Sequence, residues 1–137
     1  MWKSVVKRNR CLIPMNGFYE WRKQSDGKQP YFIQLREKNI ASFAGIWESW
    51  SHEGKAINTY SIMTTSPNKE MESIHDRMPV ILHPYDENQW LNADTEEDIK
   101  ALLEPYPDGQ IITYEVDKKI NSVYINDDTL IGSLNSL

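Results

Sequence analysis

Aromatic and aliphatic residues alternate with polar ones over short runs in this chain, and turn residues punctuate the runs. This pattern predicts strands more often than helices. Gly17 to Lys23 is aromatic and alternating, Ser25-Asp26-Gly27-Lys28 is a hairpin signal, and Tyr31 to Arg36 returns as a second strand. Ala41 to Ser51 and Asn58 to Thr65 predict another antiparallel pair around His52-Glu53-Gly54-Lys55, with shorter strands at Pro79 to Leu82 and Ile111 to Val116. Helical signals are few. Ser66-Pro67 reads as an N-cap with proline at the first helical position, and Pro84 opens a turn ending at Trp90-Leu91. Acid gathers over Asp94 to Asp98 before Ile99, Leu102 and Leu103 at helical spacing, and Pro105 and Pro107 stop that helix. No internal repeat, low-complexity tract or linker interrupts the chain. The expectation is one domain over residues 1–137, an α+β unit dominated by antiparallel strands.

Composition narrows the class. The five tryptophans and seven tyrosines suit packed sheet surfaces better than a helical bundle. No apolar run approaches the roughly 20 residues needed to cross a bilayer. The first residues have no apolar stretch of signal-peptide length, and the single cysteine, Cys11, excludes an internal disulfide; both predict a cytoplasmic protein. A net charge of -5 does not advertise nucleic-acid binding. The charge is uneven, however: Lys3, Lys7, Arg8 and Arg10 crowd the first ten residues without an acid. That segment reads either as one edge of a phosphate-binding groove or, more simply, as a solvated strand end.

Two residues stand out for chemistry. In a strand over 17–23, Phe18, Glu20 and Arg22 share a face, and a carboxylate beside aromatic residues suits acid–base work. The plainer alternative is a surface Glu20 paired with Arg22 or Lys23. His75 falls in Ile74-His75-Asp76-Arg77-Met78-Pro79, a loop between a short helix and a strand, where scaffolds commonly present reactive groups. Asp76 and Arg77 could brace that loop through a salt bridge, and a solvated loop histidine is again the plainer reading. His52 and His83 show no partner. The three histidines match no close ligand spacing, and with no CxxC or HExxH pattern no metal is expected. The six glycines are scattered singly, so no phosphate loop or other cofactor motif is expected. Cys11, inside the apolar run Cys11-Leu12-Ile13-Pro14, reads as a small buried core thiol rather than a nucleophile paired with His75.

Longer motifs add a family. Cys11-Leu12-Ile13-Pro14-Met15-Asn16-Gly17-Phe18-Tyr19-Glu20-Trp21 resembles the signature CLIPADGFYEW of the SOS-response-associated peptidase (SRAP) family, differing at Met15 and Asn16. Lys28 to Ile33 is similar to its KQPYFI strand, and Phe43 to Glu48 to its FAGLWE. Ile62-Met63-Thr64-Thr65, Met71 and Ile74 to Leu82 resemble IITT…M…IHDRMPVIL, and Val116 to Asn126 is similar to VSKxVNxxxN with Asp117 in place of serine.

The resemblance implies a curved sheet or partial barrel with a few short helices. It also implies a sensor of abasic sites in single-stranded DNA within the DNA damage response. Family members use an N-terminal cysteine, whose amine and thiol close a thiazolidine crosslink on the ring-opened sugar. Glu20 matches the family's catalytic glutamate and His75 its histidine; Thr64 matches a threonine beside the site and Trp21 an aromatic near the DNA, with Asp76 and Arg77 in the same motif. Whereas the family begins Met-Cys-Gly-Arg, this sequence begins Met1-Trp2-Lys3. The expectation is therefore a half-site, Glu and His without the cysteine nucleophile, on a chain lacking the family's N-terminal portion. Whether such a chain is an enzyme stays open: alternatives are a remnant that binds DNA or protein without chemistry, and a peptidase.

Overall fold

The computed structural model of the chain describes residues 2–37 and 40–134, with side chains from Val5 onward. Its elements in order are α1 (Trp2–Arg8), β1 (Arg10–Met15), β2 (Phe18–Gln24), β3 (Gly27–Leu35), β4 (Ala41–His52), β5 (Lys55–Ile62) and β6 (Thr64–Thr65). They continue with α2 (Lys69–Glu72), β7 (Met78–Pro79), β8 (Ile81–Leu82), α3 (Pro84–Asn92), α4 (Glu96–Ala101) and β9 (Ile111–Glu115). Two single 3-10 turns, Lys118–Asn121 and Asp128–Ile131, follow. Every ladder is antiparallel and none of the described sheets closes into a barrel, so the fold is α+β with mostly antiparallel strands. The chain divides into two compact units, one of residues 1–15, 40–66 and 78–106, the other of 16–39, 67–77 and 107–137.

The first unit is built on β4. Its proximal half, Ala41 to Gly45, is buried and pairs with β1 on one side, while Ser42 and Phe43 pair with Leu82 and Ile81 of β8. Its distal half pairs with β5 through Trp47↔Tyr60 and Trp50↔Ile57. The core gathers Val6, Ala44, Val80, Leu82, Trp90, Ala93 and Ile99. Trp90 is fully enclosed, and its indole N–H is satisfied by the Cys11 carbonyl at 3.0 Å, as a buried tryptophan requires. Thr95 caps α4, accepting from the Asp98 N–H.

Three expectations are corrected in this unit. The basic opening segment is a helix, α1, rather than a strand end. Its cationic side chains are partly committed to structure. Arg10 donates to the Val6 carbonyl at 2.7 Å, to Trp90, and to the Ala93 carbonyl at 2.6 Å, satisfying backbone oxygens left open at the ends of α1 and α3. Lys7 sits 3.9 Å from Glu96, and the Lys3 side chain falls outside the described residues. The strand expected over Asn58 to Thr65 breaks at Met63. There the Met63 N–H pairs with the Ala44 carbonyl, the Val80 N–H pairs with the Met63 carbonyl, and Thr64 and Thr65 turn to Pro79 and Met78. Finally, Cys11 is half-buried rather than enclosed, although burial still pushes its thiol up.

The second unit is a three-stranded sheet in the order β2-β3-β9. β3 is its central strand, with Pro30, Tyr31, Phe32, Ile33 and Leu35 all buried. Phe32 meets Tyr19 and Tyr114 in tilted ring contacts at 5.2 and 5.7 Å. The buried Gln29 amide donates to the Val116 carbonyl at 2.9 Å. The β2–β3 hairpin forms where expected, with Ser25-Asp26 as its loop and Gly27 at φ 140°, a conformation that admits little but glycine. The short helix α2 begins later than Ser66-Pro67 suggested. Its cap is Asn68, whose side chain accepts from the Met71 N–H, rather than the serine two residues upstream.

Candidate functional site

The site is assembled inside the second unit, from the outer strand β2 and the loop after α2. Pro30 decides the local geometry of β2. Trp21 lies opposite Pro30. Proline has no N–H to give a ladder, and its carbonyl is taken by the Val116 N–H on the β9 side. The Trp21 N–H therefore points outward from the sheet edge. The Glu20 carboxylate folds back to accept it at 3.1 Å, which fixes that side chain at the edge. On the opposite wall, Met71 and Ile74 are buried anchors, and the Ile74 and His75 N–H groups both bond the Met71 carbonyl. This pinned turn presents His75.

Glu20 Oε1 and His75 Nε2 are 4.0 Å apart, with 26% and 40% of their side chains exposed. The gap is too long for a direct hydrogen bond and suits one atom bridging the two. The far ring nitrogen of His75 has partners for either state. Nδ1 accepts from the Arg77 N–H at 3.1 Å when bare, and lies 3.2 Å from the Arg77 carbonyl and 3.1 Å from Asp76 Oδ1 when it carries a proton. With its proton on Nδ1, held by the Arg77 carbonyl and Asp76, the imidazole can take up and return a proton at Nε2 without reorienting.

Around the pair opens a concavity of about 460 Å³. Trp21, Arg22, Lys23 and Lys28 from the hairpin and Glu72 to Asp76 from the end of α2 and the loop after it complete its wall. The Trp21 indole N–H donates to Asn121 Oδ1 at 3.0 Å. Arg22 is not Glu20's partner. It pairs with Glu115 at 3.4 Å and lies over the Tyr31 ring at 5.0 Å. Tyr31 donates to the same Glu115 oxygen at 2.7 Å; burial and then that hydrogen bond push its phenol up to about 12.

The structure thus brings Glu20, Trp21, His75 and Asp76 to one concavity. Arg77 follows on the same loop, and its backbone holds the ring. Thr64 belongs to the first unit, on β6, and does not line this wall. His52 and His83 have aromatic partners after all: His52 stacks on Trp50 at 4.9 Å, and His83 lies between Tyr85 and Tyr106 at 5.0 and 4.7 Å. Among the described residues, no group of three or more His, Cys, Asp or Glu is placed to hold a metal ion. Sequence reasoning missed Pro30, Asn121 and Lys28 as contributors; the proline opposite an aromatic strand position is the one legible signal.

The architecture agrees with known proteins. The family model described as SOS response associated peptidase (SRAP) matches residues 1–123. The abasic site processing protein YoqW of Bacillus subtilis is 43% identical over 135 residues, covering 96% of this chain and 60% of YoqW. The abasic site processing protein HMCES of Xenopus tropicalis is 28% identical over 139 residues, covering 87% of this chain and 42% of that protein. A crystal structure of a Bacteroides thetaiotaomicron protein superposes with a TM-score of 0.88 at 30% identity, covering 96% of this chain and 59% of that one. The chain belongs to the SRAP family. It spans about 60% of the length of YoqW.

Proposed function

We propose that Glu20 and His75 are the proton-transfer pair of an abasic-site processing centre, acting in the cytoplasm on single-stranded DNA. The observation that supports this most is their 4.0 Å approach within an open concavity, with the far imidazole nitrogen held by the Arg77 backbone and Asp76. The substrate is the ring-opened aldehyde of an abasic sugar. An N-terminal cysteine amine adds to it and one water leaves, giving an imine. The thiol sulfur then adds to the imine carbon while the thiol proton passes to nitrogen, closing a thiazolidine. Proton removal from the amine and proton delivery to the departing oxygen are the steps Glu20 and His75 serve. Trp21 flanks the sugar as an aromatic wall, Asp76 and Arg77 hold the His75 loop, and Thr64 joins this reading on the family resemblance alone.

Cys11 is not the nucleophile. Its nitrogen is locked in a peptide bond within β1, so it offers no 1,2-aminothiol. The chain by itself is therefore expected to give no denaturant-resistant adduct with abasic single-stranded DNA. Joined to the family's N-terminal portion, beginning Met-Cys-Gly-Arg, it is expected to give one without borohydride. In that protein Glu20→Gln and His75→Ala each slow adduct formation about 10²-fold. Unchanged rates in both variants on a denaturing gel would refute the assignment.

A further inference from the structure

The hairpin that carries Glu20 ends in two lysines whose arrangement the fold does not explain. Lys23 of β2 and Lys28 of β3 stand directly opposite each other across the ladder. Like charges in that position repel and destabilise a hairpin. Neither makes a hydrogen bond or ion pair among the described residues, although the chain carries 20 acidic residues against 15 basic ones. The third cation of the concavity, Arg22, is neutralised by Glu115. Both lysines are exposed, and both line the wall that contains Glu20 and His75, with the Trp21 indole beside them.

We infer that Lys23 and Lys28 form a phosphate clamp that takes the backbone phosphodiester next to the abasic sugar. The inference rests on the reading of the site given above and adds to it a direction for the strand, out along the β2–β3 hairpin. Two ammonium groups around one phosphodiester convert an unfavourable cross-strand pair into a favourable one on binding. Contacts of this kind carry no base preference, in keeping with a substrate whose defining feature is a missing base.

The test is a salt series of fluorescence anisotropy titrations of the chain. The probe is a labelled single-stranded oligonucleotide holding one tetrahydrofuran abasic analogue, with Lys23→Gln/Lys28→Gln, Lys23→Arg/Lys28→Arg and His75→Ala variants. Loss of the one clamped phosphate lowers the slope of log affinity against log salt by about 0.7, or about 2.6-fold less change between 50 and 200 mM salt. The glutamine variant is expected to show this loss, the arginine variant to recover the slope, and His75→Ala to keep it. A glutamine variant with the slope of the unchanged protein would overturn the clamp while leaving the Glu20–His75 reading standing. A protein with no measurable affinity for the oligonucleotide would overturn both. A glutamine variant with an altered melting temperature is judged by the arginine variant alone: failure of arginine to recover the slope also overturns the clamp.

Discussion

The two long hairpins of the molecule are made the same way and used differently. Both are antiparallel, and both turn through a glycine at positive φ, Gly27 at 140° and Gly54 at 76°. In β2–β3 the return strand is buried on both faces, with Ile33 at 0% exposed. In β4–β5 the distal part of the ladder stands open: Trp50 and Tyr60 are 57% and 65% exposed, and every residue of β5 is exposed. The first hairpin is a platform whose outer strand is held rigid by the inner one, and the candidate site sits on that outer strand. The second has aromatic residues but no enclosure. Hydrophobic content alone does not tell a core strand from an open one; the difference lies in what the neighbouring segments cover.

Core truncation should separate the hairpins most. Ile33→Ala is expected to cost about 2–5 kcal/mol in a denaturant titration, because it leaves a cavity in a closed interior. Ile57→Ala should stay within about 0.5 kcal/mol, and equal losses would show that β5 is enclosed in solution. The turns come next. Gly27→Ala is expected to cost about 2 kcal/mol, since its φ lies where side chains are rarely tolerated, and Gly54→Ala about 1 kcal/mol in the left-handed region. The reverse order would mean that the β2–β3 loop relaxes freely.

A pH scan isolates the platform. Tyr31 titrates near 10 in the unfolded chain and at about 12 when folded. Its protonated form is the one the fold favours, so this stability is complete below pH 10 and is lost as pH rises from 10 to 12. Tyr19 and Tyr114, also raised by burial, add to the same decline. Tyr31→Phe should flatten the fall of the denaturation midpoint across that window; an unchanged slope would remove Tyr31 from the account. The smallest effect is expected from Trp50→Ser/Tyr60→Ser. Folding free energy should move by no more than about 0.5 kcal/mol, while self-association seen by sedimentation should fall as an exposed apolar patch is erased.

Much of this was legible in advance, for identifiable reasons. The β2–β3 and β4–β5 hairpins announce themselves because alternation and turn glycines are local signals, and Pro84 and the acid over Asp94 to Asp98 mark α3 and α4 equally locally. What escaped was decided at a distance. Residues 58–65 carry no local break signal at Met63, and the partners Ala44 and Val80 interrupt them there. α1 has no acidic first turn, and no periodicity of its own announces it. Val6 burial and the Arg10 contacts hold it in place. Ser66 and Asn68 both qualify as caps, and side-chain geometry chose the second. For the site, Glu20 and His75 could be named through family resemblance, but their approach across 55 intervening residues depends on the register at Pro30 and the anchoring of Met71 and Ile74.

Arg10 shows how such distant contacts act in time. Its bonds to Trp90 and Ala93 close loops of about 80 residues, and chain entropy makes contacts of that span late arrivals in folding. An interaction absent from the transition state leaves the folding rate alone and slows only the way out. The guanidinium therefore works as a latch on an assembled unit rather than a guide toward it. Its removal would shorten the lifetime of the native state, while the chain would still find that state as quickly as before.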